Sequence, residues 1–121
     1  MFALHAKLWN PSAANMQYLV RLSDRATRDI AAIYEFIHAG VSEAAFTWFN
    51  DLEGAIYSLG KFPERGTMTP ENRKLRQLLF GKKPGFYRII YKINKRRFVV
   101  DVLHIRHGAR AARPPERFER P

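Results

Sequence analysis

Four side chains capable of chemistry crowd into a short stretch near the end of the chain: His104, Arg106, His107 and Arg110. Histidine exchanges a proton near neutral pH, and an arginine beside it can hold developing negative charge. Together they suit proton transfer during cleavage of a phosphodiester. They equally suit recognition of an acidic partner with no chemistry at all. Metal binding fits poorly. His104 and His107 stand three apart, on opposite faces of a continuing strand, and no neighbouring carboxylate or thiolate completes a ligand set. The chain has no cysteine, which removes disulfide frameworks, thiolate zinc sites and a cysteine nucleophile. That fits a reducing cytoplasm. Nothing in the pattern calls for a metal or another cofactor.

The charge around this cluster is lopsided. The 121 residues carry a net charge of +10. Residues 1–60 hold 4 basic and 6 acidic side chains, a net of −2, and residues 61–121 hold 17 basic and 5 acidic, a net of +12. A cationic half of this kind reads as a binding surface for a polyanion or an acidic protein. Hydrophobic residues make up 46% and charged residues 26%, a composition that folds as one globular domain. The apolar runs are too short to span a bilayer, so no membrane partner is expected.

Positioning these groups requires a scaffold, and the periodicities supply one. Residues 1–15 lack the continuous apolar stretch of a signal peptide and read as an N-terminal extension. Near Met16 a strand pattern begins, with Tyr18, Val20 and Leu22 alternating with Leu19 and Arg21. Ser23 or Asp24 caps a helix whose apolar face is Ala26, Ile30, Ile33, Tyr34 and Ile37, and Gly40 is placed to stop it. Ser42 starts a second helix, striped by Ala45, Phe49, Leu52, Ile56 and Leu59 and widened by Phe46 and Trp48. Gly60 and Pro63 end it. Three strands follow over 73–80, 86–93 and 98–106, the last two forming a hairpin across Asn94-Lys95-Arg96-Arg97. Alternation puts Tyr87, Ile89, Tyr91 and Ile93 on one face of the second of these strands, and Phe86, Arg88, Ile90 and Lys92 on the other. In the last strand it groups Val99, Asp101, Leu103 and Ile105 against Phe98, Val100, Val102, His104 and Arg106. The helical hairpin covers one face, leaving the other to present cations. Residues 111–121 carry Pro114 and Pro115 among charges and read as a basic tail.

The ordered set of motifs resembles the RelE/ParE superfamily of type II toxin–antitoxin toxins. Tyr18-Leu-Val-Arg-Leu-Ser23, Ala26-x-x-Asp29-Ile30-x-x-Ile33, Leu59-x-x-Phe62-Pro63-x-x-Gly66 and Arg76-x-Leu78 carry the first part. Gly85-Phe-Tyr-Arg-Ile-Ile-Tyr91 and Val102-Leu-His-Ile-Arg-His-Gly-Ala-Arg110 carry the rest. The resemblance spans residues 16–110. It implies an α+β fold of order β-α-α-β-β-β, with a helical hairpin on one face of a small, mainly antiparallel sheet. It also implies a bacterial, cytoplasmic toxin that needs no cofactor.

The superfamily divides into ribosome-dependent mRNA endoribonucleases and poisons of DNA gyrase. Arg88 matches an arginine that the ribonucleases use on the scissile phosphate. His107 falls near an acid/base histidine of one branch, and Arg110 near a late arginine of another. Residues 111–121 lack the tyrosine that some ribonucleases place after the last strand. Arg73, Lys74 and Arg76 stand where one branch has a glutamate, although they resemble the lysine pair of another. The His-Gly-Ala-Arg ending resembles ParE-type chains. The resemblance therefore favours a gyrase poison with no hydrolytic site. A ribonuclease using Arg88, His107 and Arg110, and a non-toxic module that binds an antitoxin and regulates its operon, are the alternatives. The implied partner is a ParD-like ribbon-helix-helix antitoxin, with operator DNA reached only through it. The residues implied to meet antitoxin or target are Arg76, Arg88, Tyr91, His104, Arg106 and Arg110.

Overall fold

Ser23 and Ser42 open the two helices as their hydroxyls predict. In the computed structural model, which describes residues 17–82 and 85–108, Ser23 Oγ accepts the Ala26 N–H at 3.0 Å and Ser42 Oγ accepts that of Ala45 at 3.1 Å. Each satisfies an amide that the first turn leaves unpaired. Helix α1 runs Asp24–Phe36 and α2 runs Glu43–Tyr57. Ala26, Ile30 and Ile33 of α1 and Phe49, Leu52 and Ile56 of α2 are buried, so the predicted apolar stripes are the core faces.

The end of α1 differs from expectation. Gly40 does not terminate the helix; His38 does, in the left-handed conformation with φ of 59°. The Ala39 N–H reaches the Tyr34 carbonyl and the His38 N–H that of Glu35, both at 3.1 Å. Those two bonds form a Schellman ending. His38 is exposed, and histidine is among the few side chains that enter this region of backbone space with modest strain.

Five strands form one sheet: β1 (Leu19–Leu22), β2 (Thr67–Met68), β3 (Arg76–Lys82), β4 (Gly85–Asn94) and β5 (Val99–His107), in the order β1-β5-β4-β3-β2. β1 pairs with β5 in parallel; every other pairing is antiparallel. The architecture is the expected α+β arrangement, with the additional two-residue strand β2. β3 starts at Arg76, not Arg73. Thr69 and Asn72 fold the preceding residues into a turn: Thr69 Oγ1 donates to the Asn72 carbonyl at 2.6 Å and accepts the Asn72 N–H at 3.0 Å. The 1–15 extension, Arg110 and the 111–121 tail lie outside the described residues.

The helices cover one face of the sheet. Val20, Leu78, Ile89, Tyr91, Val100, Val102 and Ile105 pack beneath them. Burying each large aliphatic side chain contributes roughly 1.5–3 kcal/mol. The simple alternation read for β5 holds only up to Val102. Tyr91 faces Val102 and Ile90 faces His104, which leaves Leu103 unpaired as a bulge. One extra residue inverts the parity beyond it. Val100, Val102 and Ile105 consequently share the core, whereas the sequence pattern separates Ile105 from the other two.

Candidate anion-binding face of the sheet

Arg88 sits at the middle of β4 on the face the helices leave uncovered, directly opposite Arg106 of β5. Two guanidiniums in register repel one another. The chain resolves this with a carboxylate from the 69–75 turn. Glu71 meets Arg88 in a two-pronged contact, Nη2 to Oε1 at 3.0 Å and Nη1 to Oε2 at 3.3 Å. Arg88 Nε donates to Gln77 Oε1 of β3 at 2.8 Å. The pair is asymmetric: the Arg88 side chain is 8% exposed and that of Glu71 is 63% exposed. Partial burial alone would raise the Glu71 carboxyl. The hydrogen bond from Arg88, a backbone hydrogen bond and the positive fields of Arg88 and Arg106 together outweigh it and hold the group below the usual carboxylate value.

Gly108 closes the other side of Arg88. A Cβ there would stand 3.0 Å from Arg88 Cγ and 3.4 Å from the Phe86 carbonyl oxygen. A bare backbone lets the chain leaving β5 lie across the aliphatic stem of the arginine.

Arg106 is exposed and has no ion pair among the described residues. His104, on the same face, is half-buried. Burial first, then the charges of Arg25, Arg106 and Arg88, push its imidazole below 6.5 against the opposing pull of Asp29. Among the described residues its Nδ1 is buried with no hydrogen-bond partner. Leu79 of β3, 53% exposed, adds an apolar element to this cationic face. In the described part of the basic half, each of the three acids is tied to a cation: Glu64 to Lys95, Glu71 to Arg88 and Asp101 to Arg21. The positive excess is thereby left to the other side chains.

The remaining site candidates fall elsewhere. Tyr91 faces the core and is 0% exposed; its hydroxyl accepts the Gly66 N–H at 2.9 Å and donates to the Pro63 carbonyl at 2.7 Å. It anchors the 63–66 turn and takes no part in a contact surface. Arg76 Nη1 donates to the Gly66 carbonyl at 2.6 Å, so it braces the same turn. His107 belongs to the helix-covered side. Its ring lies edge-on to Tyr87, 5.1 Å between centroids, and Tyr87 in turn packs on Trp48 of α2. Arg88 and His107 thus stand on opposite faces of the sheet and do not converge on one phosphate, as the ribonuclease assignment requires. Among the described residues His107 Nδ1 is buried without a hydrogen-bond partner, so no second group there orients the ring as a base. Among the described residues there is no group of three or more metal-ligating side chains, and no helix long and apolar enough to cross a membrane.

The sequence reading missed Glu71, Gln77, Arg25 and Gly108. The one available signal, for Glu71, was the scarcity of acids in the basic half: 5 acids among 17 cations are each placed to pair.

Residues 20–112 match the family model described as the ParE toxin of the type II toxin–antitoxin system, parDE. No curated protein matches the chain. Among solved structures it is similar to the chromosomal ParDE toxin–antitoxin system from P. aeruginosa, with 18% identity, a TM-score of 0.60, and coverage of 76% of this chain and 97% of the other. It is also similar to the toxin–antitoxin complex RelBE2 from Mycobacterium tuberculosis, with 26% identity, a TM-score of 0.50, and coverage of 75% and 98%. A third likeness is to a double arginine-to-alanine variant of E. coli toxin RelE in the free state, with 12% identity, a TM-score of 0.55, and coverage of 78% and 87%.

Proposed function

Because this chain belongs to the ParE toxin family of type II toxin–antitoxin systems, we propose that it arrests growth by stabilising a cleaved DNA–gyrase intermediate, and that a ParD-like antitoxin neutralises it in the cytoplasm. The separation of Arg88 and His107 by the thickness of the sheet carries this reading. A toxin that acts by binding needs a charged surface and no positioned acid and base. The open face supplies such a surface in Arg106, Leu79 and, beneath Glu71, Arg88.

The antitoxin segment would be acidic enough to meet Arg106 and apolar enough to cover exposed hydrophobic side chains. Phe36, Val41 and Phe46 project from the helical hairpin and are 76%, 88% and 45% exposed. A segment that orders as it binds can wrap both regions. The cationic half would speed its capture and make that capture salt-sensitive.

The ribonuclease reading keeps one supporting observation: His104 shares the open face with Arg88 and Arg106. A two-arm assay separates the readings. The purified toxin is incubated with gyrase and supercoiled plasmid, and in parallel with translating ribosomes and mRNA. Linear DNA is the expected product. Codon-positioned mRNA cuts without linear DNA would support the ribonuclease, and neither product would support an inert antitoxin-binding module.

A further inference from the structure

We propose that Glu71 is a built-in competitor for the anion site at Arg88, and that an acidic segment of a protein partner engages Arg88 by displacing it. This rests on the reading of the open face as the partner surface. It adds a regulatory element to that face, in the turn that precedes β3.

Three observations carry it. A guanidinium as buried as that of Arg88 requires an anion, because removing its counter-charge leaves a desolvated cation. The anion it has is a side chain 63% exposed to solvent. Glu71 is mostly in water and belongs to a turn secured by Thr69 and Asn72, with no strand pairing of its own. When Glu71 leaves, its carboxylate returns to solvent at small cost, and an incoming carboxylate restores the two-pronged contact. The exchange conserves charge at Arg88, so its balance is set by the contacts the newcomer gains elsewhere. Arg106, opposite Arg88 and without an ion pair among the described residues, offers the nearest of those contacts. The two-pronged contact with Glu71 shows that the Arg88 fork accepts a carboxylate.

A site closed by its own chain binds with its affinity reduced by the fraction of time it is open. The test uses the intact toxin, a capped hexaglutamate peptide as probe, and calorimetry at low salt. Glu71→Gln should tighten peptide binding roughly fivefold to tenfold, the factor expected when a mostly closed site is opened. The gain should vanish when Arg88→Gln is also present. Simple removal of a negative charge would tighten binding equally in both backgrounds, and that outcome overturns the proposal. So does an unchanged affinity of E71Q while R88Q weakens binding. If R88Q and R106Q both leave peptide binding unaffected, the reading of the face itself fails instead. Inorganic phosphate is titrated in parallel. A gain with phosphate equal to that with peptide would overturn the protein-segment occupant. Should R88Q unfold, Arg88→Lys serves, since it keeps the charge and loses the fork; the E71Q gain should then shrink but persist.

Discussion

Asp29 of α1 accepts the backbone N–H of Ile105 on β5 at 2.9 Å. β1 ends at Leu22, so it cannot pair with β5 beyond Val102. The helix takes over that edge: Ser23 Oγ donates to the Leu103 carbonyl at 2.7 Å, and the Asp29 carboxylate caps the amide two residues on. Removing the cap exposes a partly buried donor. Asp29→Ala should cost about 1–3 kcal/mol in urea unfolding, with faster hydrogen exchange at the Ile105 amide. Asp29→Asn, which keeps an acceptor, should cost less.

Gly66 should tolerate nothing larger. A Cβ there would lie 2.4 Å from the Gln77 carbonyl oxygen and 2.8 Å from Tyr91 Oη, and the first of these is backbone that cannot swing away. Tyr91→Phe should lose about 1–3 kcal/mol by leaving the Gly66 N–H and Pro63 carbonyl unpaired. Gly66→Ala should lose more, since it displaces β3 itself. Denaturant midpoints of the two variants give the order.

His104 predicts a pH dependence. Its folded value lies below the ordinary 6.5, so the unfolded chain binds the proton more readily. Stability from this group is therefore complete above about pH 6.5 and lost as pH falls through the folded value. His104→Gln should flatten the thermal midpoint between pH 7.5 and 5.5. Glu71 acts in a lower window. Its stabilisation is present above the ordinary carboxylate value of 4.5 and is lost as pH falls below that, through the depressed folded value. Glu71→Gln should remove that acid limb and leave the His104 limb in place.

Periodicity made the helices and most of the sheet legible, because a stripe at helical spacing or a clean alternation is a local property of the chain. Ile30, Leu52 and Ile89 are buried where those patterns put them. The failures share a physical origin in partners distant in sequence. Leu103 bulges because β5 must satisfy β4 on one side and the β1–α1 corner on the other, and no local pattern reports that. His38 ends α1 through two backbone bonds that glycine ordinarily makes easier. Cationic residues on the last strands identified the open face. Its central contact, Arg88 with Glu71, joins positions 17 residues apart and lies beyond any short motif.

Salt and charge reversal should separate the open face from the helical surface. Arg28 is exposed on α1, and Arg106 is exposed on the open face. Arg106→Glu should weaken antitoxin binding and its salt dependence more than Arg28→Glu, with the difference largely in the association rate. Stopped-flow association at two ionic strengths reads this directly.

The most direct measurement is the yield of linear DNA when gyrase and supercoiled plasmid are incubated with the wild-type toxin, with R106E and with R28E. The wild type and R28E should accumulate linear DNA to similar levels, and R106E should accumulate far less. Absence of linear DNA with the wild-type toxin, or an equal loss from both variants, would contradict a gyrase poison acting through the open face of the sheet.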